Sequence, residues 1–371
     1  MMILKMERIL FAAIFILNAN CARDPEYFPK ENWRSSKPEA QGLDSKKISD
    51  MIRVLRDNDK VHSVVIIRNG FIVTEKYFEE YDRDTKENLV SVTDSVVSLL
   101  TGVAIEKGKF DNTKQKIDSF FDLKKYSNSS LKKNEITIEK LLTMTSGIDW
   151  KWRLDPANTS HMILSGDSMR YVLDFPIEEN LPERYNYCSA NYQIISGLLT
   201  KACGENISAF SDKNLFSLIG IKNYVWLADS KGVNWGSFGL YLRPVDLAKI
   251  GYLILKKGKW KDKQIVSSRW IEESLKPRVK CNYFPDDTAS YGYGWWTEPF
   301  GFSAKGWAGN YLFVLPDYDM VIVVTGETRY FVFDQFSKQP VSFWGELRDG
   351  PTKSYVAEVV STMLLPGISK K

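Results

Sequence analysis

The stretch Ser91-Val-Thr-Asp94-Ser-Val-Val-Ser-Leu-Leu-Thr-Gly-Val-Ala-Ile-Glu-Lys-Gly108 decides how this chain folds. Val92, Val96, Leu99 and Val103 recur at helical spacing, which predicts a helix with one face buried. Lys107 in the last turn and Gly108 after it read as a helix stop. Just upstream, His62 to Phe78 reads as two short strands around Asn69-Gly70. Ser91 therefore stands where the chain turns from sheet into buried helix. At such a place a hydroxyl can project from the first turn, and the free backbone N–H groups favour negative charge. Asp94, three residues on, shares its face. A serine here also suits an ordinary N-cap. Acyl transfer asks for more: a base within hydrogen-bond reach and donors for the oxyanion.

With 371 residues, 44% hydrophobic and 26% charged, the chain has the composition of a globular protein able to bury a large core. A net charge of +4, with no basic run interleaved with aromatics, gives no reason to expect a nucleic-acid partner. Only two histidines occur, His62 on a strand and His161 in a loop, and neither sits in a triad motif. There is no His pair, Cys cluster or glycine-rich phosphate loop, so no metal or cofactor is expected. At the N-terminus, Lys5 and Arg8 precede the apolar run Ile9–Leu17 and then Asn18-Ala-Asn-Cys21. Residues 1–20 read as an export signal, too short in its apolar core to span a bilayer. Cys21 is where a lipoprotein would carry its lipid, although Asn20 departs from the usual small residue. The expected location is therefore the outer side of a membrane, anchored by lipid, or else the periplasm or medium. Residues 21–42 read as a polar tether, and 43–371 as one domain. Cys188, Cys203 and Cys281 remain, an odd set that reads as buried thiols with no disulfide scaffold.

Helical periodicity covers Asp44 to Asp57, Asn191 to Lys201, Pro244 to Lys257 and Ser267 to Leu275, with a closing helix at 353–364. Ile136 to Gly147 reads as a helix with a glycine stop. Strands are expected at Tyr291–Trp296, Phe302–Gly306, Tyr311–Leu315 and Met320–Thr325. The pattern is α+β: an antiparallel sheet flanked by helices, with a mainly helical insertion at about 110–230.

Several motifs resemble one family in order and spacing. The Ser91 helix is similar to the Ser-x-x-Lys helix of the serine β-lactamase and penicillin-binding-protein superfamily. It is closest to the class C-like branch of esterases and nylon-oligomer hydrolases. Leu141-Leu-Thr-Met-Thr-Ser-Gly-Ile-Asp-Trp150, Arg243-Pro-Val-Asp-Leu-Ala-Lys-Ile-Gly-Tyr-Leu253, Gly258-Lys-Trp260 and Tyr291-Gly-Tyr-Gly-Trp-Trp296 also resemble family stretches. So does Arg184-Tyr-Asn-Tyr187-Cys-Ser189-Ala-Asn-Tyr192, which looks like the Tyr-x-Ser loop. The resemblance, over residues 40–330, implies a β-lactamase-like fold and acyl-enzyme formation at Ser91. It implies Tyr187 as general base or proton relay and Ser189 as a substrate partner. It also implies an oxyanion hole from the backbone N–H groups of Ser91 and Asn310. In Ala304-Lys-Gly-Trp307-Ala-Gly309-Asn310, Trp307-Ala-Gly309 resembles an esterase variant of the Lys-Thr-Gly strand, and Gly309 permits close backbone approach. The cation that would pair with a β-lactam carboxylate is missing. On a continuing strand Lys305 shares the face of Trp307, where it either supplies a positive charge or points to solvent.

One position departs from the family: Asp94 stands where the lysine belongs. A carboxylate with a pKa near ~4 is a poor base for a serine hydroxyl unless burial raises it. General-base assistance is worth roughly 10²–10⁴-fold. Two functions are therefore expected. One is a serine hydrolase acting on a small-molecule ester or amide; the other is a catalytically inactive member that binds a ligand or partner in the old cleft.

Overall fold

In this computed structural model, residues 27–29, 31–59, 61–150, 157–178, 184–281, 289–328 and 355–370 are described. The expected signal segment and Cys21 lie outside them. Ser45–Asp59 is a helix (α1), followed by the hairpin of β1 (Val61–Arg68) and β2 (Phe71–Tyr77). A two-residue strand, β3 (Glu87–Asn88), leads into α2 (Val92–Glu106). The insertion contributes α3 (Ile138–Leu142), α4 (Ser168–Asp174) and α5 (Ser189–Cys203). Next come β4 (Val225–Trp226), β5 (Leu240–Leu242), α6 (Pro244–Leu255) and α7 (Ser268–Leu275). The chain then forms β6 (Val279–Lys280), β7 (Ser290–Tyr291), β8 (Trp296–Glu298), β9 (Gly301–Gly306), β10 (Asn310–Leu315) and β11 (Met320–Gly326).

Eight of these strands make one sheet, ordered β2-β1-β11-β10-β9-β8-β7-β6, and every pairing is antiparallel. β1 and β11 pair beside the β2 edge, with Ile66 opposite Ile322, and both are buried along their whole length. Alternation sends Val64 and Ile66 to one face and Val65 and Ile67 to the other. The first face is covered by α1, through Ile48, Met51 and Leu55, and by the closing helical turns at Tyr355–Leu364. The second faces α2, α6 and the helical insertion. A smaller sheet, β3-β5-β4, joins the insertion to the residues just before Ser91. The α+β architecture is thus the expected one.

Three expectations change. α2 is buried on every side from Val92 to Ala104, not along one face. Two of its buried hydroxyls are bonded inside the protein: Ser95 Oγ donates to the Gly294 carbonyl at 2.5 Å, and Thr101 Oγ1 to that of Val97 at 2.9 Å. Gly102 lies under the Trp270 ring, where a Cβ would come within 2.3 Å of ring atoms. The helix expected at Ile136–Gly147 is confined to α3, because Met144 takes a left-handed conformation (φ 59°) and turns the chain. The strand expected at Tyr291–Trp296 is two strands, β7 and β8, separated by a turn at Gly292–Trp295.

The stretch read as a tether is also partly body. Trp33 is buried and donates its indole N–H to the Val245 carbonyl at 3.0 Å, and residues 34–36 bond to Ile72 on β2.

Candidate active site

The site is built at the first turn of α2. β3 pairs with β5 and delivers the chain to Leu89, whose N–H bonds to the Leu240 carbonyl. Val90 then adopts φ +45°, an outlier for a β-branched residue, with its N–H held by the Asn88 side chain at 3.1 Å. This kink presents Ser91, half-buried, at the helix start. Its side chain makes no capping bond, so the ordinary N-cap role is vacant.

Tyr187 reaches the same point from the start of α5. Its loop is pinned by the turn after α3: Asn186 N–H bonds to the Met144 carbonyl at 2.8 Å, and Asn186 Nδ2 to that of Ile148 at 3.2 Å. Ser146 Oγ donates to Asn191 Oδ1 at 2.6 Å. The Leu141–Trp150 motif is thus a platform for the tyrosine loop. Ser91 Oγ lies within hydrogen-bond reach of the Tyr187 oxygen, and Tyr187 Oη donates to Asp94 Oδ2 at 3.1 Å. Ser189, buried, opens α5 two residues on.

Asp94 is fully buried. Its second oxygen, Oδ1, accepts from Ser237 Oγ at 2.7 Å. Burial holds its pKa well above the usual carboxylate range, partly offset by the donated bonds from Ser237 and Tyr187. No cation contributes among the described residues. Burial first, and the charge of Asp94 second, push the Tyr187 hydroxyl well above its ordinary value. Burial likewise raises Cys188, beside Tyr187, to about 12, which leaves it an unreactive thiol.

The remaining candidates meet the site differently from expectation. Trp307-Ala-Gly309 is not on the strand. β9 ends at Gly306, and these three residues form the turn to β10, with Ala308 at φ 61° and Gly309 at φ 84°. Gly306 approaches the residues before Ser91 so closely that a Cβ would lie 2.5 Å from the Leu89 carbonyl oxygen. Asn310, paired with Gly306, is thereby carried toward the turn that presents Ser91. Its side chain closes the turn by donating to the Trp307 carbonyl at 2.8 Å. Lys305 neither supplies a charge to Asp94 nor points to solvent. It is buried, paired with Glu298 at 2.7 Å and set 4.6 Å over the Trp296 ring.

Sequence reasoning missed Ser237. It stands 143 residues from Asp94 in Trp235-Gly-Ser-Phe-Gly239, where only the glycines signal a turn. His62 proves to be a structural knot, buried between Glu87 (3.2 Å) and Glu327 (3.7 Å) and stacked on Tyr81.

Comparison with known proteins bears on the family and the fold. The family model described as Beta-lactamase matches residues 50–338. The 6-aminohexanoate-dimer hydrolase of Paenarthrobacter ureafaciens is 23% identical over 290 residues, spanning 70% of this chain and 70% of that protein. Among solved structures, a putative 6-aminohexanoate-dimer hydrolase from Bacillus anthracis superposes with a TM-score of 0.65 at 20% identity. That match covers 74% of this chain and 76% of the other. EstCE1, described as a hydrolase with promiscuous acyltransferase activity, gives 0.63 at 13% identity, covering 78% and 94%.

Proposed function

This chain belongs to the beta-lactamase family, and from that premise we propose that it is a serine hydrolase of small esters or amides. Ser91 is the nucleophile, Tyr187 the proton relay and Asp94 the proton acceptor. The observation that carries the reading is the continuous chain of donors from Ser91 through Tyr187 to a buried carboxylate. As Ser91 Oγ bonds to the substrate carbonyl carbon, its proton passes to Tyr187 Oη while the Tyr187 proton passes to Asp94. No free tyrosinate is needed. The negative charge moves from the carboxylate to the oxyanion, so the total charge of the site is unchanged. The amides of Ser91 and Asn310 receive the oxyanion. Collapse breaks the bond to the leaving group, and the proton on Asp94 returns through Tyr187 to the departing alkoxide or amine. Water then deacylates Ser91 by the same relay.

Burial is what makes an aspartate serviceable here: a raised proton affinity narrows its gap from a serine hydroxyl. Nitrophenyl-ester hydrolysis by the purified chain tests the reading. Ser91→Ala is expected to fall to the uncatalysed rate, and Asp94→Asn to lose roughly 10²–10⁴-fold in kcat. An Asp94→Asn variant as fast as wild type overturns the role of Asp94.

A second reading is favoured by one fact, the replacement of the family lysine itself. In it the cleft binds a ligand or partner without turnover. It expects an inert wild type and an Asp94→Lys that stays inert. A gain of ten-fold or more in Asp94→Lys, about 1.4 kcal/mol of barrier, would instead show a cleft that keeps its catalytic architecture and lacks only the lysine. Export and lipidation at Cys21 complete the proposal. Mass spectrometry of the mature protein checks them, and residues 1–20 retained on it rule them out.

A further inference from the structure

The second oxygen of Asp94 is occupied by a residue outside every family motif. Ser237 is buried (1% exposed), and the loop that carries it is bolted to α5, the helix that Tyr187 precedes. Gly236 N–H bonds to Gln193 Oε1 at 2.9 Å. Gln193 Nε2 donates to Ser168 Oγ at 2.8 Å, and Ser196 Oγ to the Asn234 carbonyl at 2.6 Å. Gly236 sits so close to α5 that a Cβ would lie 1.9 Å from the Tyr192 carbonyl oxygen. Trp235 and Phe238, which flank the Gly236-Ser237 pair in sequence, stack on each other with ring centroids 5.0 Å apart. One helix therefore fixes both hydroxyls that converge on Asp94.

We propose that Ser237 is a positioning residue of the proton relay: it aims the Asp94 carboxylate at Tyr187 and supports its charged form. The inference rests on the relay reading of Asp94. The titratable groups around that carboxylate are Tyr187 and Cys188 before and at the start of α5, Tyr192 within it, and Tyr291 on β7. All are neutral at neutral pH and none is a cation. A buried carboxylate without a cation needs donors to remain ionised, and hydrogen bonds to the charged form favour it. Ser237 is the donor that has no other task in the reaction.

The test is the pH profile of kcat/KM for a nitrophenyl ester, measured on the full chain as wild type, Ser237→Ala, Ser237→Thr and Asp94→Asn. Ser237→Ala is expected to move the acid limb up by roughly one pH unit, the worth of one bond to a charged group, with the alkaline plateau nearly kept. Ser237→Thr, which keeps the hydroxyl, restores the limb. Ser237→Cys, a weaker donor of similar size, takes the place of Ser237→Ala if that variant does not fold. A uniform loss of rate with an unmoved limb overturns the inference and leaves the relay standing. An acid limb that survives Asp94→Asn overturns the relay and the role of Ser237 with it. Thermal stability supplies a readout that needs no turnover. Ser237→Ala should cost more at pH 8 than at pH 4, and this excess should vanish in the Asp94→Asn background. An excess that persists without Asp94 also overturns the inference.

Discussion

Asp94, the proton acceptor of the proposed relay, is also a burden on the fold. Its folded pKa is raised above the ordinary carboxylate value by desolvation. The stability contributed by its neutral form is therefore fully present below the unfolded value and is lost as pH rises through the folded one. Asp94→Asn should then melt at nearly the wild-type temperature in acid, and above it at pH 8. Thermal scans across that range check this; a difference that does not grow with pH would mean Asp94 is not desolvated. The placement of Ser91 and Tyr187 was legible from sequence because each stands just before a helix inside a recognisable motif. The state of Asp94 was not. Its identity was plain, but its burial and its Ser237 partner depend on a contact between residues 143 apart. Periodicity reads only neighbours on one element.

At the scale of elements, the helix α2 shows what a hydrophobic pattern conveys and what it hides. The apolar repeat found it and Gly108 closed it, but the burial of Ser95, Ser98 and Thr101 is invisible to a rule that counts apolar residues. Gly102 is the point of tightest contact, since Trp270 lies where its side chain would be. Gly102→Ala should destabilise by about 1–3 kcal/mol through overpacking, against a helix-propensity gain of up to ~1 kcal/mol. Urea unfolding measures the difference, and an unchanged midpoint would show that Trp270 moves aside freely. The β9–β10 turn teaches the converse. A strand was expected to run through Trp307, but left-handed Ala308 and Gly309 end it, a backbone event with no side-chain signature. The consequence is chemical. Trp307 brings no charge, and Lys305 is already neutralised by Glu298. A fluorescent penicillin at micromolar concentration is accordingly expected not to label Ser91 stably, and persistent labelling would contradict this.

Across the whole molecule, the sheet, its two helical covers and the inserted lobe were legible because long periodic segments specify them. The tether was legible only in part. Its polar composition concealed Phe28 and Trp33, which pack beside Tyr252. Trp33→Ala should cost about 3–5 kcal/mol, since it empties a buried site and orphans the Val245 carbonyl. An unfolding midpoint within error of wild type would show that the segment merely rests on the surface.

The turn that presents Ser91 is held from far away. Glu87, four residues before it, bonds to His62 across 25 residues and to Thr325 across 238. Asp94 is joined to Tyr187 and Ser237 across 93 and 143 residues. Contacts of such long sequence separation form only after the chain has lost most of its freedom. Refolding should therefore separate in time: far-UV ellipticity returns first, and reactivity of Ser91 toward a fluorophosphonate appears last. On the proposed reading, competence of Ser91 is in this sense a clock that reads completion of the fold, and a nascent or partly opened chain is expected to carry the serine without its reactivity.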